Sequence, residues 1–255
     1  MSRAMCYRCF WPQPLCWCPT ITAMPTCTRF VFLMHPKEFK QEKAGTGRLT
    51  HLCLAGSEIH MGIGFDEHEA VQDLIQDPLN LPMLVYPSAC ARNLSRGDLQ
   101  PADIGDRQLV VFLLDATWAL AKKMLRLSPS LQRLPRLMFT PSAPSRYVIK
   151  QQPVDGCLST LEATHELLLA LQRSGLDDYP LPDQLLGLFA RMQDYQLNCA
   201  RDPTREGYRR RPYSAPADRL KPQANTGARR TRLFNLSDTP SVPPAPSGPD
   251  APSSC

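Results

Sequence analysis

The chain has 255 residues, a formal net charge of +5, 43% hydrophobic and 21% charged residues, the balance of an ordinary globular protein with one sizeable core. Its longest purely aliphatic or aromatic run, Leu109 to Leu114, is six residues, far short of the roughly 20 that cross a bilayer. The N-terminus lacks the graded pattern of a signal peptide, so the expected compartment is the cytoplasm, with no membrane partner. Residues 201–235 hold ten Lys/Arg against three Asp/Glu. The excess positive charge therefore sits in a tail, as suits a polyanion.

Residues 1–27 form a head rich in cysteine, proline and tryptophan. Cys6-x2-Cys9-x6-Cys16-x-Cys18 offers four soft sulfurs within thirteen residues. Without an export signal, clustered cysteines read as metal ligands sooner than as disulfides. Four thiolates suit a tetrahedral zinc ion and leave it no open position, which makes the expected site structural. An iron–sulfur cluster would use the same ligands. Trp11 and Trp17 flank them and read as a cover for the cluster, or as rings offered to RNA bases. Cys27 and the remaining cysteines are spread singly.

Beyond the head, short apolar runs alternate with helical stretches. Strands are expected at Phe30–Met34, Leu52–Leu54, Met83–Tyr86, Leu109–Leu114 and Leu137–Phe139. The continuous run at 109–114 reads as a strand buried on both faces, as in a parallel sheet. Helices are expected near His68–Gln76 and Trp118–Leu127. Ser159 and Glu162 have capping-box spacing and open a helix that Gly175 closes. Leu185, Leu188, Phe189, Met192 and Tyr195 repeat at helical spacing and mark a last helix. This alternation predicts an α/β domain over residues 28–203 with a mostly parallel sheet. Residues 236–255, with six prolines and five serines, complete a disordered tail expected over 204–255.

Asp115-Ala116-Thr117-Trp118 follows directly on the buried run. An aspartate at the carboxyl end of a parallel strand stands where α/β sheets bind ligands, although it could equally cap the next helix. His35 and Glu38 supply only two ligands for a second metal, too few for a site.

Asp115-Ala116-Thr117-Trp118 resembles the signature of the DTW-domain family. The surroundings agree: the cysteine head with Trp11-Pro12, His35-Pro36-Lys37-Glu38, Thr46-Gly47-Arg48-Leu49, Tyr86-Pro87, Pro141 to Tyr147, and Leu158 to Ala163, all in the family's order. The resemblance spans about residues 6–200 and leaves out the tail. It implies a tRNA-uridine aminocarboxypropyltransferase, related to the SPOUT class, with a C-terminal trefoil knot that binds S-adenosylmethionine (SAM). Such an enzyme would join the 3-amino-3-carboxypropyl group of SAM to N3 of a tRNA uridine and release methylthioadenosine.

The resemblance also assigns roles. Asp115 is the candidate base for the uracil proton, or else an anchor for a loop. Thr117 would hydrogen-bond ligand or backbone, and Trp118 would stack on a base or pack in the core. Tyr86, Pro87, Leu114, Pro141, Arg146, Tyr147, Leu158, Ser159 and Thr160 would bind SAM together with Asp115. His35, Arg48 and Lys122 would face RNA, with Arg48 as a clamp for a phosphate or for the SAM carboxylate. Arg209, Arg210 and Arg211, in the tail that the resemblance leaves out, are expected there from their charge. Cys6, Cys9, Cys16 and Cys18 would hold the zinc. Glu162 reads as a capping residue rather than a catalyst. A monomer is expected. Two other readings stand beside it: a SPOUT-type RNA methyltransferase on the same fold, and a non-catalytic zinc-containing RNA-binding protein, which would have no need of the ordered blocks from His35 to Ala163.

Overall fold

A computed structural model of the chain describes residues 4–41, 45–148 and 157–202. Its centre is a six-stranded sheet: β1 (Arg29–Met34), β2 (Glu58–Met61), β3 (Asn80–Val85), β4 (Arg92–Asn93), β5 (Gln108–Asp115) and β6 (Arg136–Met138). The order across the sheet is β2-β1-β5-β3-β6-β4, and every pairing is parallel. A parallel sheet needs cover on both faces. Successive side chains of a strand point to opposite faces, and each set meets helices.

On one face Phe30, Phe32, Met83, Val111 and Leu137 are buried. They lie against α2 (Thr46–Cys53), α7 (Thr160–Arg173) and α8 (Pro182–Arg201), contributing Leu49, Leu168, Leu188 and Phe189. On the other face Val31, Leu33, Leu84, Val110 and Phe112 pack with α3 (Glu69–Gln76), α5 (Trp118–Arg126) and α6 (Pro129–Arg133). Two short helices, α1 (Pro36–Gln41) and α4 (Pro101–Ile104), complete the described helices beyond single 3-10 turns.

The marked helix ends form as their residues dictate. The Ser159 side chain accepts from the Glu162 backbone while the Glu162 carboxylate accepts from the Ser159 N–H, a complete capping box at the start of α7. At its end Gly175 takes φ +66. There Gly175 N–H donates to Gln172 and Leu176 N–H to Leu171, the paired bonds of a Schellman motif. Leu185, Leu188, Phe189 and Met192 of α8 are all buried.

One expected strand is corrected. Leu52 and Cys53 are the last turn of α2, and Leu54 makes only an isolated bridge to Met24. Leu49 and Cys53, four residues apart, turn together into the core, so the helical period wins over a three-residue apolar run. The strand that does form here, β2, reads Glu58-Ile59-His60-Met61 and lies half-exposed at the sheet edge. With one face wet it carries no apolar run to announce it. Strand β3 begins three residues earlier than expected and passes through Pro82.

The head is fused to this body. Cys9 and Trp11 are buried in the same cluster as α8, and the Trp11 ring meets Tyr195 edge to face at 5.3 Å. Met24 bonds to Cys53 and Ala55 through its backbone. The expected loss of order past residue 203 falls outside the described residues. Among the described residues no helix is long and apolar enough to cross a membrane.

Candidate active site

Three adjacent strands end together. Tyr86 and Pro87 follow β3, Ala116 follows β5, and Phe139 follows β6, and between them opens a cavity of about 200 Å³. The far wall comes from the start of α7 and the residues before it: Cys157, Leu158, Thr160 and Ala163. This is the crevice beyond the carboxyl ends of the strands, where open α/β sheets receive ligands. The lining is largely apolar, with the Tyr86 phenol, the Trp118 indole and the Thr160 hydroxyl as polar points. Tyr86 and Trp118 stand 6.3 Å apart, ring centre to ring centre.

The residues expected at the cofactor divide into two groups. Tyr86, Pro87, Leu114, Pro141, Leu158 and Thr160 line the cavity, as does Trp118. Asp115, Arg146, Tyr147 and Ser159 do not line it; they brace it. The Ser159 side chain is committed to the capping box. Tyr147 is buried with its ring against Phe189 at 5.1 Å. Arg146 is exposed, and its backbone N–H donates to Glu162 Oε1 at 2.6 Å. Thr117 is exposed beside the helix start, with no side-chain cap bond.

Glu162 ties the site together. Besides Arg146, its carboxylate receives the Ser145 hydroxyl (2.8 Å), the Ser159 N–H (2.9 Å) and the Ser159 hydroxyl (2.7 Å). The neighbouring Glu166 accepts from the N–H and the hydroxyl of Ser142. From α8, Gln193 accepts from the Val148 N–H and donates to the Arg146 carbonyl. The loop of residues 142–148 is thereby fixed on two helices, and with it the cavity edge at Pro141.

Asp115, at the last position of β5, is buried. Its Oδ1 accepts from the Thr160 hydroxyl at 2.5 Å, and its carbonyl accepts from the His35 N–H at 3.0 Å. The carboxylate rests on the first turn of α2: a Cβ added to Gly47 would stand 2.3 Å from Oδ2. The next residue, Arg48, is also buried. Its guanidinium donates to the Phe39 carbonyl at 3.1 Å and lies over the rings of Phe10 (3.9 Å) and Phe39 (4.6 Å). Burial pulls Arg48 below its ordinary pKa while Asp115 pulls it back up.

The residues expected to face RNA are dispersed. His35 is buried, its Nδ1 accepting from the Lys37 N–H at 3.1 Å. Burial first, then Lys37 and Lys123, lower its pKa. Arg48 is enclosed as described, and Lys122 is exposed on α5. Arg209, Arg210 and Arg211 lie outside the described residues. Sequence reasoning missed the cavity residues Val85, Met138, Phe139 and Cys157. The strand-end rule, applied to β3 and β6 as it was to β5, points to the first three.

The four cysteines come together. The sulfurs of Cys6, Cys9, Cys16 and Cys18 all lie within 4.8 Å of one another, with Cys6–Cys18 at 3.8 Å and Cys9–Cys16 at 3.7 Å. A tetrahedron of sulfurs about 2.3 Å from a central zinc has edges of about 3.8 Å, so the arrangement fits that ion. The backbone N–H groups of Cys9 and Arg8 hold the Cys6 thiol down to about 6, whereas burial pushes Cys18 up to about 12.

Known proteins resemble this chain over most of its length. Over 176 residues the chain is 32% identical to tRNA-uridine aminocarboxypropyltransferase 2 of Drosophila melanogaster, covering 67% of this chain and 67% of the fly protein. The protein of the same name from Mus musculus is 30% identical over 207 residues, 78% of this chain and 68% of the mouse protein. No solved structure matches. The profile of the DTW domain covers residues 3–197, from the cysteine head into the last turns of α8, and the chain belongs to the DTW-domain family.

Proposed function

We propose that the chain transfers the 3-amino-3-carboxypropyl group of SAM to N3 of a tRNA uridine and releases methylthioadenosine. One observation carries this reading: the cavity beyond β3, β5 and β6 is walled by four separate family blocks, at Tyr86-Pro87, 115–118, 141–147 (through Pro141) and 158–163. The relatives named tRNA-uridine aminocarboxypropyltransferase 2 supply the reaction.

In this reaction a bond forms from N3 to the γ-carbon of the methionine moiety. The bond from that carbon to sulfur breaks, and its electron pair stays on the sulfur. The sulfonium activates the methyl carbon as well, so the protein's task is orientation. An apolar pocket between Tyr86, Leu114, Leu137 and Leu158 suits the adenosine, and the fixed 142–148 loop sets how the donor arm lies. Neutral uracil keeps a proton on N3, which must leave. Thr160 faces the cavity and already donates its proton to Asp115. Its hydroxyl can accept the N3 proton while passing its own to the carboxylate. In this reading Asp115 is the base and Thr160 its connection to the cavity, while Trp118 stacks on the substrate.

The four thiolates hold a structural zinc that closes the head on α8 and takes no part in the chemistry. The SPOUT-like class and a trefoil knot in the C-terminal part belong to the same reading, as do a monomeric state and a cytoplasmic location. The basic tail at 201–235, with Arg209, Arg210 and Arg211, and the exposed Lys122 supply phosphate contacts.

Incubating the protein with SAM and unmodified tRNA, then weighing the nucleosides, tests the proposal. Aminocarboxypropyluridine together with methylthioadenosine is the expected result. Methylated nucleoside with S-adenosylhomocysteine would instead establish a methyltransferase, and SAM left intact a binding protein.

A further inference from the structure

The cysteine head turns a different set of aromatic rings outward from those its tryptophans suggest. Trp11 is buried against α8, and Trp17 is only half-exposed, at 5.1 Å from Trp11. Tyr7 is 89% exposed, Phe10 44% and Met5 40%. Of the eight exposed large hydrophobic residues among the described residues, three fall within these six positions. Such concentration on one short turn marks an interaction surface rather than scattered exposure.

The turn is held rigidly. Cys6 N–H donates to the Trp11 carbonyl at 2.7 Å and Phe10 N–H to the Cys6 carbonyl at 2.8 Å. Phe10 has φ +57, a left-handed conformation that bulky residues rarely adopt and that persists where the surroundings impose it. That conformation brings the Phe10 ring onto the Arg48 guanidinium at 3.9 Å and against Phe39 at 5.8 Å. Arg48 follows Gly47, which touches Asp115. The aromatic turn is therefore joined to the active site through one layer of side chains. Its charges suit a polyanion: exposed Arg8 lies between Tyr7 and Cys9, and exposed Lys37 stands in the first turn of α1, which also carries Phe39.

We infer that Tyr7, on the cysteine turn, is a stacking platform for an unpaired base of the tRNA, with Phe10 as its inner edge and Arg8 and Lys37 meeting the adjoining phosphates. The inference rests on the tRNA reading above. Proteins read single-stranded RNA by laying splayed bases on aromatic rings beside basic groups. A uridine whose N3 must be reached cannot be paired through that edge, so the substrate presents at least one unpaired base.

The test is binding of unmodified tRNA to the full-length, zinc-loaded protein, for wild type and four Tyr7 variants. Tyr7→Ala should weaken binding about tenfold, the scale of one lost base stack, with zinc content and SAM affinity unchanged. Tyr7→Phe and Tyr7→Trp should bind like wild type. Tyr7→Leu should resemble Tyr7→Ala, because a leucine keeps apolar surface but cannot stack. Arg8→Ala should flatten the salt dependence of binding. Wild-type affinity in Tyr7→Ala or Tyr7→Leu would overturn the inference and leave the turn as a surface for a protein. Because the readout is tRNA affinity, this result stands apart from the nucleoside assay.

Discussion

Gly47 is a glycine because Asp115 occupies the space of its side chain. A Cβ built at position 47 would meet Oδ2 of Asp115 at 2.3 Å, Cγ at 2.5 Å and Oδ1 at 2.9 Å. The contact joins the first turn of α2 to the end of β5, and Thr160 of α7 closes on the same carboxylate from the cavity side. Three elements far apart in sequence converge on one buried acid.

Gly47→Ala is the direct probe of that convergence. Alanine is favoured over glycine in a helix by up to about 1 kcal/mol, whereas forcing a methyl group into filled space costs about 1–3 kcal/mol. The clash should win, giving a lower melting temperature and little nucleoside product. Adding Asp115→Ala empties the space and should return most of the lost stability. A single variant as stable as wild type would mean that the carboxylate moves aside freely.

Much of this was legible in the chain, and the omissions have physical causes. The β5 run, the Ser159–Glu162 box, Gly175 and the apolar face of α8 are local signals that the fold obeys. Strand β2 escaped because an edge strand with one wet face shows no run, and α2 was hidden because Leu52-Cys53-Leu54 imitates one. At the site, the family blocks name Tyr86, Thr160 and Trp118 as neighbours. They do not tell which residues line the cavity and which only hold it. Tyr147 is fixed against Phe189, a contact that no local pattern shows, and the Ser159–Glu162 box marks a helix start without telling that the same carboxylate also holds Ser145 and Arg146. Arg48, expected among surface cations, is enclosed because Phe10 and Phe39, distant in sequence, close over it.

The four-cysteine site should be inseparable from the body. Cys9 is 2% exposed and belongs to the same apolar cluster as α8. Metal loss should therefore lower the melting temperature of the whole domain, since structural zinc contributes on the order of 10 kcal/mol to folding its site. Elemental analysis should find about one zinc per chain, abolished in Cys6→Ser combined with Cys9→Ser. Full zinc in that variant, or a chelator without effect on melting, would place the metal elsewhere or nowhere.

Glu162 should matter for donor binding without touching the donor. Its carboxylate receives four donors from Ser145, Arg146 and Ser159. Hydrogen bonds to a charged group contribute about 1.5–3 kcal/mol each, though not additively. Glu162→Ala should cost about 3 kcal/mol of stability and weaken SAM binding at least tenfold by freeing the loop beside Pro141. Calorimetric titration with SAM decides: unchanged affinity would show that the loop holds its place without this anchor.

Acid should destabilise the fold early. Burial, as the leading cause, lowers the pKa of His35, His51 and His165. The unfolded values lie near 6.5, above the folded ones, so in that interval the unfolded chain binds more protons. Stability from these groups is intact above about pH 6.5 and declines as the pH falls below it. Melting temperatures at pH 7.5 and 5.5 should differ accordingly, and His165→Gln should shrink the difference. A flat profile would mean that these rings accept protons without loosening the core.

The proton relay runs through two side chains, Thr160 and Asp115, that can be removed separately. Asp115→Asn keeps a carbonyl oxygen to accept the Thr160 hydroxyl but removes the base, and Thr160→Val removes the connection while preserving shape. Both should lower turnover about 10²–10⁴-fold, the usual contribution of a general base, with SAM affinity within a few-fold of wild type. Thr160→Ser restores the hydroxyl and should restore most activity. In Asp115→Asn, turnover should climb with pH as hydroxide takes over removal of the N3 proton, whereas wild type should stay nearly flat. If Asp115→Asn turns over normally while Asp115→Ala is dead, the carboxylate is an anchor between α2 and α7, and the proton leaves by another route. If Thr160→Val alone is active, Asp115 meets the substrate directly, which requires the cavity floor to open at Gly47 or Thr160 when tRNA binds.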